Sequence, residues 1–238
     1  METKKLQVIP TLVEACQLGI KNVVPLILTV LLYAVTVWIP YLNVGTTVGL
    51  YRIIIDMSKG KTIDPLSIFK KENFENMGGF FLMLGFLTLG ITAAMAFMFI
   101  PALVMGIAWG YAIYIFLDKK ASPVKAMMLS DKATYGEKWT IFFIGIIFGL
   151  AAGLLCGLFG AIPYVGVVFV LLLVLCIGVI AVALEAVLYR HFSEKVDAIL
   201  AEAPVHHHRP RFEEPVKEVP EAEAPAAEAP ADPAPDQE

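Results

Sequence analysis

Ionisable side chains inside apolar stretches are the chemistry a membrane chain has to offer, because each is costly to hold there. This sequence holds few. Arg52 and Asp56 close one apolar stretch and Glu185 closes another. An ion pair between Arg52 and Glu185 would join distant parts of the chain, whereas the simpler expectation is that each snorkels separately to the membrane–water boundary. His206, His207 and His208, in "HHHRPR" (206–211), are candidate metal ligands. Three adjacent histidines on a polar segment lack preformed geometry and partners for their second nitrogens, so incidental surface histidines or a basic patch with Arg209 and Arg211 is the better reading. Cys16, Cys156 and Cys176 lack metal-type spacing and read as small apolar residues. There is no H-E-x-x-H, P-loop or G-x-S-x-G, and no arguable Ser/His or Cys/His pairing. The expectation is a non-enzymatic protein without cofactor or metal.

The elements that must position these residues follow from composition. Of 238 residues, 58% are hydrophobic and 17% charged, and the mean hydropathy is +0.73. Soluble domains carry about 25% charge, so an integral membrane protein is expected. Three runs lack any charge: Asn22–Tyr51 (30 residues), Asn76–Leu117 (42) and Trp139–Leu184 (46). A helix rises 1.5 Å per residue, so roughly 20 residues cross a hydrocarbon core of about 30 Å. The second and third runs should each cross twice. The first continues through Ile53–Ile55, is broken by Pro40, and reads as two shorter crossings.

Each run carries an Ile-Pro near its middle, "WIPYL" (38–42), "FIPAL" (99–103) and "AIPYV" (161–165), placing hairpin turns at Pro40, Pro101 and Pro163. "LYR" recurs at 50–52 and 188–190, a weak internal repeat. All 18 Lys and Arg fall outside these turns, in the N-terminal segment, residues 52–75, the 119–138 loop, or from Arg190 onward. Six spans bring them all to one face, as the positive-inside rule requires. The expected fold is therefore an all-α polytopic membrane bundle of six transmembrane helices in three Pro-turn hairpins, residues 22–192. Residues 1–21 form a cytoplasmic or interfacial segment, and both termini are cytoplasmic. Trp38, Tyr41 and Tyr164 on the outer side, with Trp139 on the inner, fit interfacial aromatic belts.

The cytoplasmic connections carry helix signals near 64–75 and 122–136. Asp64 and Ser122 are placed as N-caps before Pro65 and Pro123, and Gly136 as a stop. Residues 11–20 suit a surface helix with Leu12, Cys16 and Ile20 toward lipid. Residues 203–238 turn to Pro, Ala and Glu; 212–238 hold nine acids and one lysine, and such a tail should be disordered, solvating or else docking a basic partner. The lysines at 59, 61, 70, 71, 119, 120, 125, 132 and 138 fix topology and contact anionic headgroups, about 1 kcal/mol each near the surface. A cytoplasmic protein partner is the alternative; no nucleic acid is implied.

One stripe remains. Gly145, Gly149, Gly153 and Gly157 recur every four residues, a glycine zipper advancing 400° per step. Small residues let membrane helices approach closely, and Gly45, Gly49, Gly106 and Gly110 are candidate partners in the same chain. Intrachain packing leads here, with a homodimer seam and a pore lining behind it.

The stretches 44–70, 100–139 and "LEAVLYRHF" (184–192) together resemble a bacterial integral membrane family of unknown function. That family is related to the membrane domain of some glycerophosphodiester phosphodiesterases. Pro101, Ser122, Pro123, Ala126, Ser130, Gly136 and Trp139 carry the likeness in the middle stretch. The resemblance implies a six-helix membrane domain and supplies no catalytic residue. The function expected is scaffolding or regulation through cytoplasmic loops; the alternative is a small transporter or channel for a lipid-like or weakly polar solute.

Overall fold

The computed structural model describes residues 5–162 and 166–202. Pro163, Tyr164, His206–His208 and the acidic tail from 203 lie outside the described residues.

Prolines set the helix boundaries. Helices α1 (Val8–Lys21) and α2 (Val23–Thr36) meet at 86°. Pro25 has no amide to give the Lys21 carbonyl, and at the break the Asn22 side chain donates to the Leu18 carbonyl at 3.0 Å. By the same four-residue offset, α2 stops at Thr36 before Pro40, and α5 (Met77–Phe97) stops before Pro101. The expected turns therefore form, centred upstream of their prolines. The first spans Val37–Tyr41, with Tyr41 in the left-handed region at φ 70°. The second is the single extended residue Met98, and Pro101 sits in the first turn of α6 (Phe99–Trp109).

After α3 (Leu42–Ser58), a 3-10 turn over Pro65–Phe69 is capped by Asp64, whose Oδ1 accepts from the Leu66 amide at 3.1 Å. A single turn, α4 (Glu72–Glu75), leads into α5. The helix begun by α6 breaks at Gly110–Tyr111 and resumes as α7 (Ala112–Lys119). Helix α8 (Pro123–Thr134) starts at Ser122 and Pro123 as expected, and Gly136 follows it with φ 81°. It does not lie flat on a surface: Ala126, Leu129, Ser130, Ala133 and Thr134 are buried, and Ser130 Oγ donates to the Ala108 carbonyl beside the α6–α7 break at 2.6 Å. Helices α9 (Lys138–Gly160) and α10 (Gly166–Glu202) complete the chain.

The chain is thus all-α among the described residues and multi-pass. Four helical stretches are long and apolar enough to cross a membrane: α5, α6 with α7, α9 and α10; the bent α1–α2 pair would make a fifth. Helices α2 and α3, of 14 and 17 residues, fall short of the roughly 20 that a crossing takes.

Burial is concentrated at the charged end. Ala112–Phe116 of α7 are all buried, as are Ala183, Leu184, Ala186–Tyr189, Phe192 and Val196 of α10, with α1, α3 and α8 around them. In α9 only Ile144 is buried, while Leu150, Leu154 and Leu158 are exposed. The first half of α10 is equally bare, with Val167, Phe169 and Leu171 exposed. A packed charged end therefore supports an apolar end whose helices face outward, where lipid tails solvate them as well as leucine would.

The glycine stripe accordingly does not pack against other helices among the described residues. A Cβ on Gly145, Gly149, Gly153 or Gly157 would meet nothing within 4 Å, which overturns the intrachain seam expected for α9. The expected partners are engaged elsewhere. Gly45 is covered by the Phe74 ring, and a Cβ on Gly49 would lie 2.5 Å from the Ile68 Cα. Gly106 is open, and a Cβ on Gly110 would meet only α6 backbone.

Candidate functional site

At the floor of the open apolar end one carboxylate borders two largely apolar clefts. Glu185 projects from α10 between two clefts, and its solvent-reachable part faces them. One, about 400 Å³, lies along α5 and α6 and is lined by Met95, Phe99, Leu103 and Gly106. The other, about 310 Å³, lies along α9 and α10 and is lined by Ile144, Gly145, Phe148 and Val182. Tyr111, Ile141 and Glu185 belong to both linings. Among the described residues Glu185 has no ion pair; its one hydrogen bond comes from the Tyr114 hydroxyl at 3.4 Å, long for a bond to a carboxylate. A carboxyl so weakly engaged, with apolar space on both sides, keeps acceptor capacity for a head that donates hydrogen bonds.

Four tyrosines frame this floor. Tyr114 is stacked on Tyr189 at 5.2 Å between ring centres and meets Tyr51 edge-on at 5.0 Å; Tyr111 packs on Phe192 at 4.6 Å. The two "LYR" tripeptides thus share a purpose that their recurrence alone did not reveal. Each brings its tyrosine to Tyr114 and sends its arginine outward to a glutamate, Arg52 to Glu72 and Arg190 to Glu14.

That arrangement corrects the expected Arg52–Glu185 pair. Neighbouring helix positions diverge by about 100°, so with Tyr51 turned toward Tyr114, Arg52 faces α4. Its Nη1 meets Glu72 Oε2 at 3.3 Å and its Nη2 meets the Glu72 carbonyl at 3.4 Å. Its Nε is buried without a partner among the described residues, a cost of about 1–3 kcal/mol in a typical protein site. Asp56, the third ionisable residue, pairs with Lys61 at 2.8 Å. This raises the Lys61 ammonium above its ordinary range, chiefly through the hydrogen bond to Asp56.

Two charge clusters beneath the site escaped sequence reasoning. Glu137, between α8 and α9, accepts from His191 Nε2 at 2.8 Å, Lys195 Nζ at 3.0 Å and the Leu6 amide at 3.2 Å. Burial would raise its pKa, but these hydrogen bonds, Lys195 and His191 foremost, hold the carboxyl below its usual range. Asp118, at the end of α7, bonds Lys59 and accepts from the Tyr189 hydroxyl at 2.9 Å, while Lys119 reaches Asp197 at 2.6 Å. Both clusters tie the last turns of α10 to its neighbours and hold the floor in place. Their members are far apart in sequence; only the i, i+4 spacing of Glu185 with Tyr189, and of His191 with Lys195, hinted at a shared face.

No family model matches the chain, and no curated protein or solved structure is detectably similar to it. The likeness to a six-span family therefore assigns no family; a helical chain with four to five candidate spans is what stands.

Proposed function

We propose that this chain is a non-enzymatic multi-pass protein of a bacterial cytoplasmic membrane that holds a lipid-like amphiphile on the Glu185 floor. The observation carrying this reading is a carboxyl without an ion pair, set at the base of two apolar clefts. An acyl chain fits the clefts, and a hydroxyl or amine on the ligand can donate to Glu185. Of the two functions weighed from sequence, the solute-handling one gains most. Scaffolding loses ground because Lys59, Lys61, Lys119 and Lys138 are engaged in ion pairs within the chain. Lys70, Lys71, Lys125 and Lys132 stay available for anionic headgroups.

Topology belongs to the same proposal. The segment from Leu6 to Glu14 and the last turns of α10 lie together, since Leu6 bonds Glu137 and Glu14 bonds Arg190, and we read that shared side as cytoplasmic. We read the α2–α3 hairpin as re-entrant rather than as two crossings. The charged segment after α3 runs back along it, with Ile68 against Gly49 and Phe74 against Gly45 and Tyr41. A full crossing would carry Lys70, Lys71 and Glu72 into the membrane with it, at a prohibitive cost. The exposed Trp38 and Tyr41 at the hairpin tip suit a shallow insertion, and the exposed Trp139 marks the boundary at α9.

The test is quantitative lipid mass spectrometry on protein purified in mild detergent. The parent should retain a defined amphiphile near one equivalent. Gly106→Leu, whose Cβ meets nothing within 4 Å and whose side chain would extend into the α5–α6 cleft, and Glu185→Gln should each lose it while remaining folded and monodisperse. Equal retention by all three proteins rejects the reading.

A further inference from the structure

A third cavity, about 600 Å³, lies between α3, the α4 turn, the start of α5 and the end of α7. Arg52, Lys120, Glu72 and Glu75 line it together, against an apolar wall that includes the buried rings of Phe80 and Phe116. Its charges are of both signs and incompletely paired. The Arg52 guanidinium holds Glu72 only through contacts of 3.3 and 3.4 Å, where charge-assisted bonds run about 2.7–2.9 Å, and its Nε is unpartnered. Lys120 and Glu75 are exposed and make no ion pair among the described residues. Lys120 adopts the left-handed region at φ 51° directly after α7, an uncommon conformation for lysine. The cavity also sits at a defined depth. Glu75 lies two residues before the α5 span and Lys120 one residue after the α6–α7 span. That is the level at which phospholipid headgroups meet helix ends.

We propose that this cavity binds a phosphoryl-ethanolamine group, presented by a zwitterionic aminophospholipid of the same leaflet. The phosphate lies between Arg52 and Lys120 and offers the guanidinium a better acceptor than the distant Glu72 contacts. The ammonium lies at the Glu75 carboxylate. A headgroup with one charge of each sign matches a cavity holding two cations and two carboxylates; a purely anionic headgroup leaves Glu75 facing like charge. The acyl chains pass outward along the apolar surface of α5. This site is separate from the Glu185 floor and does not depend on the reading proposed for it.

The experiment titrates the purified full chain in detergent with phosphatidylethanolamine or phosphatidylglycerol, counting bound lipid by native mass spectrometry. The parent should favour phosphatidylethanolamine. Arg52→Gln and Lys120→Gln should each weaken its binding about 10-fold or more, the loss expected for a charge-assisted contact. Glu75→Gln should abolish the preference, weakening phosphatidylethanolamine binding and leaving phosphatidylglycerol binding at least as strong. Lys120 and Glu75 are exposed, so these two variants carry the test if Arg52→Gln fails to fold. Free phosphoethanolamine as competitor separates the sources: no displacement at equimolar concentration supports the lipid, and full displacement supports the soluble compound with the same chemistry. Equal binding of the two lipids by the parent, variants that bind as the parent does, or full displacement of the lipid by equimolar inorganic phosphate would each overturn the proposal.

Discussion

Gly49→Ala is the substitution on which the fold leaves least room for compromise. A Cβ there would lie 2.5 Å from the Ile68 Cα and 2.8 Å from both the Ile68 carbonyl oxygen and Asn73 Nδ2. Two of these atoms are backbone and the third is buried, so no side-chain rotation clears the space. Asn73 Nδ2 donates to the Ile68 carbonyl at 3.0 Å and to the Ser67 carbonyl at 2.9 Å, so shifting the segment also strains those bonds. Overpacking of this kind costs typically 1–3 kcal/mol, and a strained neutral hydrogen bond adds about 1 kcal/mol. Alanine regains about 1 kcal/mol of helix propensity relative to glycine. The net expectation is a loss of about 1–3 kcal/mol. Gly149→Ala is the matched control: its Cβ meets nothing within 4 Å, so only the propensity gain remains and stability should hold or rise by up to about 1 kcal/mol. Unfolding in mixed micelles of increasing SDS fraction, followed by far-UV circular dichroism, measures both. A Gly49→Ala protein as stable as the parent, or a Gly149→Ala protein equally destabilised, would refute the assignment of close packing to α3 rather than to α9.

Further outcomes follow from the buried polar contacts. Glu137 is held below the ordinary carboxylate range when folded, so its contribution is complete above its unfolded pKa of about 4.3 and is lost as pH falls through the lower folded value. Glu137→Gln should therefore destabilise the chain at neutral pH, and the gap to the parent should close in acid; a gap independent of pH rejects the cluster as charged. Ser130→Ala removes the donor to the buried Ala108 carbonyl and should cost about 1–3 kcal/mol in the same unfolding assay, whereas Ser130→Thr should retain part of the bond.

Much of the architecture was legible because it depends on local properties. Hydropathy summed along the chain marks the apolar stretches whatever they pack against. The missing amide of proline ends a helix four residues upstream at Pro25, Pro40 and Pro101, and Asp64 caps its own turn. Glu185, too, stood out as an ionisable group at the edge of a charge-free run. Which surfaces meet could not be read in the same way. Gly45 and Gly49 look like Gly149 and Gly153 in sequence, yet the first two are filled by Phe74 and Ile68 and the other two are bare. A small residue permits contact without choosing a partner, and that choice depends on the path of the segment after α3. The partners of Arg52 and Glu185 were decided by rotation about α3, where Tyr51 occupies the face toward Tyr114 and leaves Arg52 to Glu72. The Glu137 and Asp118 clusters depend on contacts as far as 131 residues apart, set only when α10 is gripped by α1, α3 and α7. Sequence alone determined a multi-pass helical chain with its ionisable groups confined to span ends; the tertiary structure decided which of those groups are neutralised and which, like Glu185, stay open to a cavity.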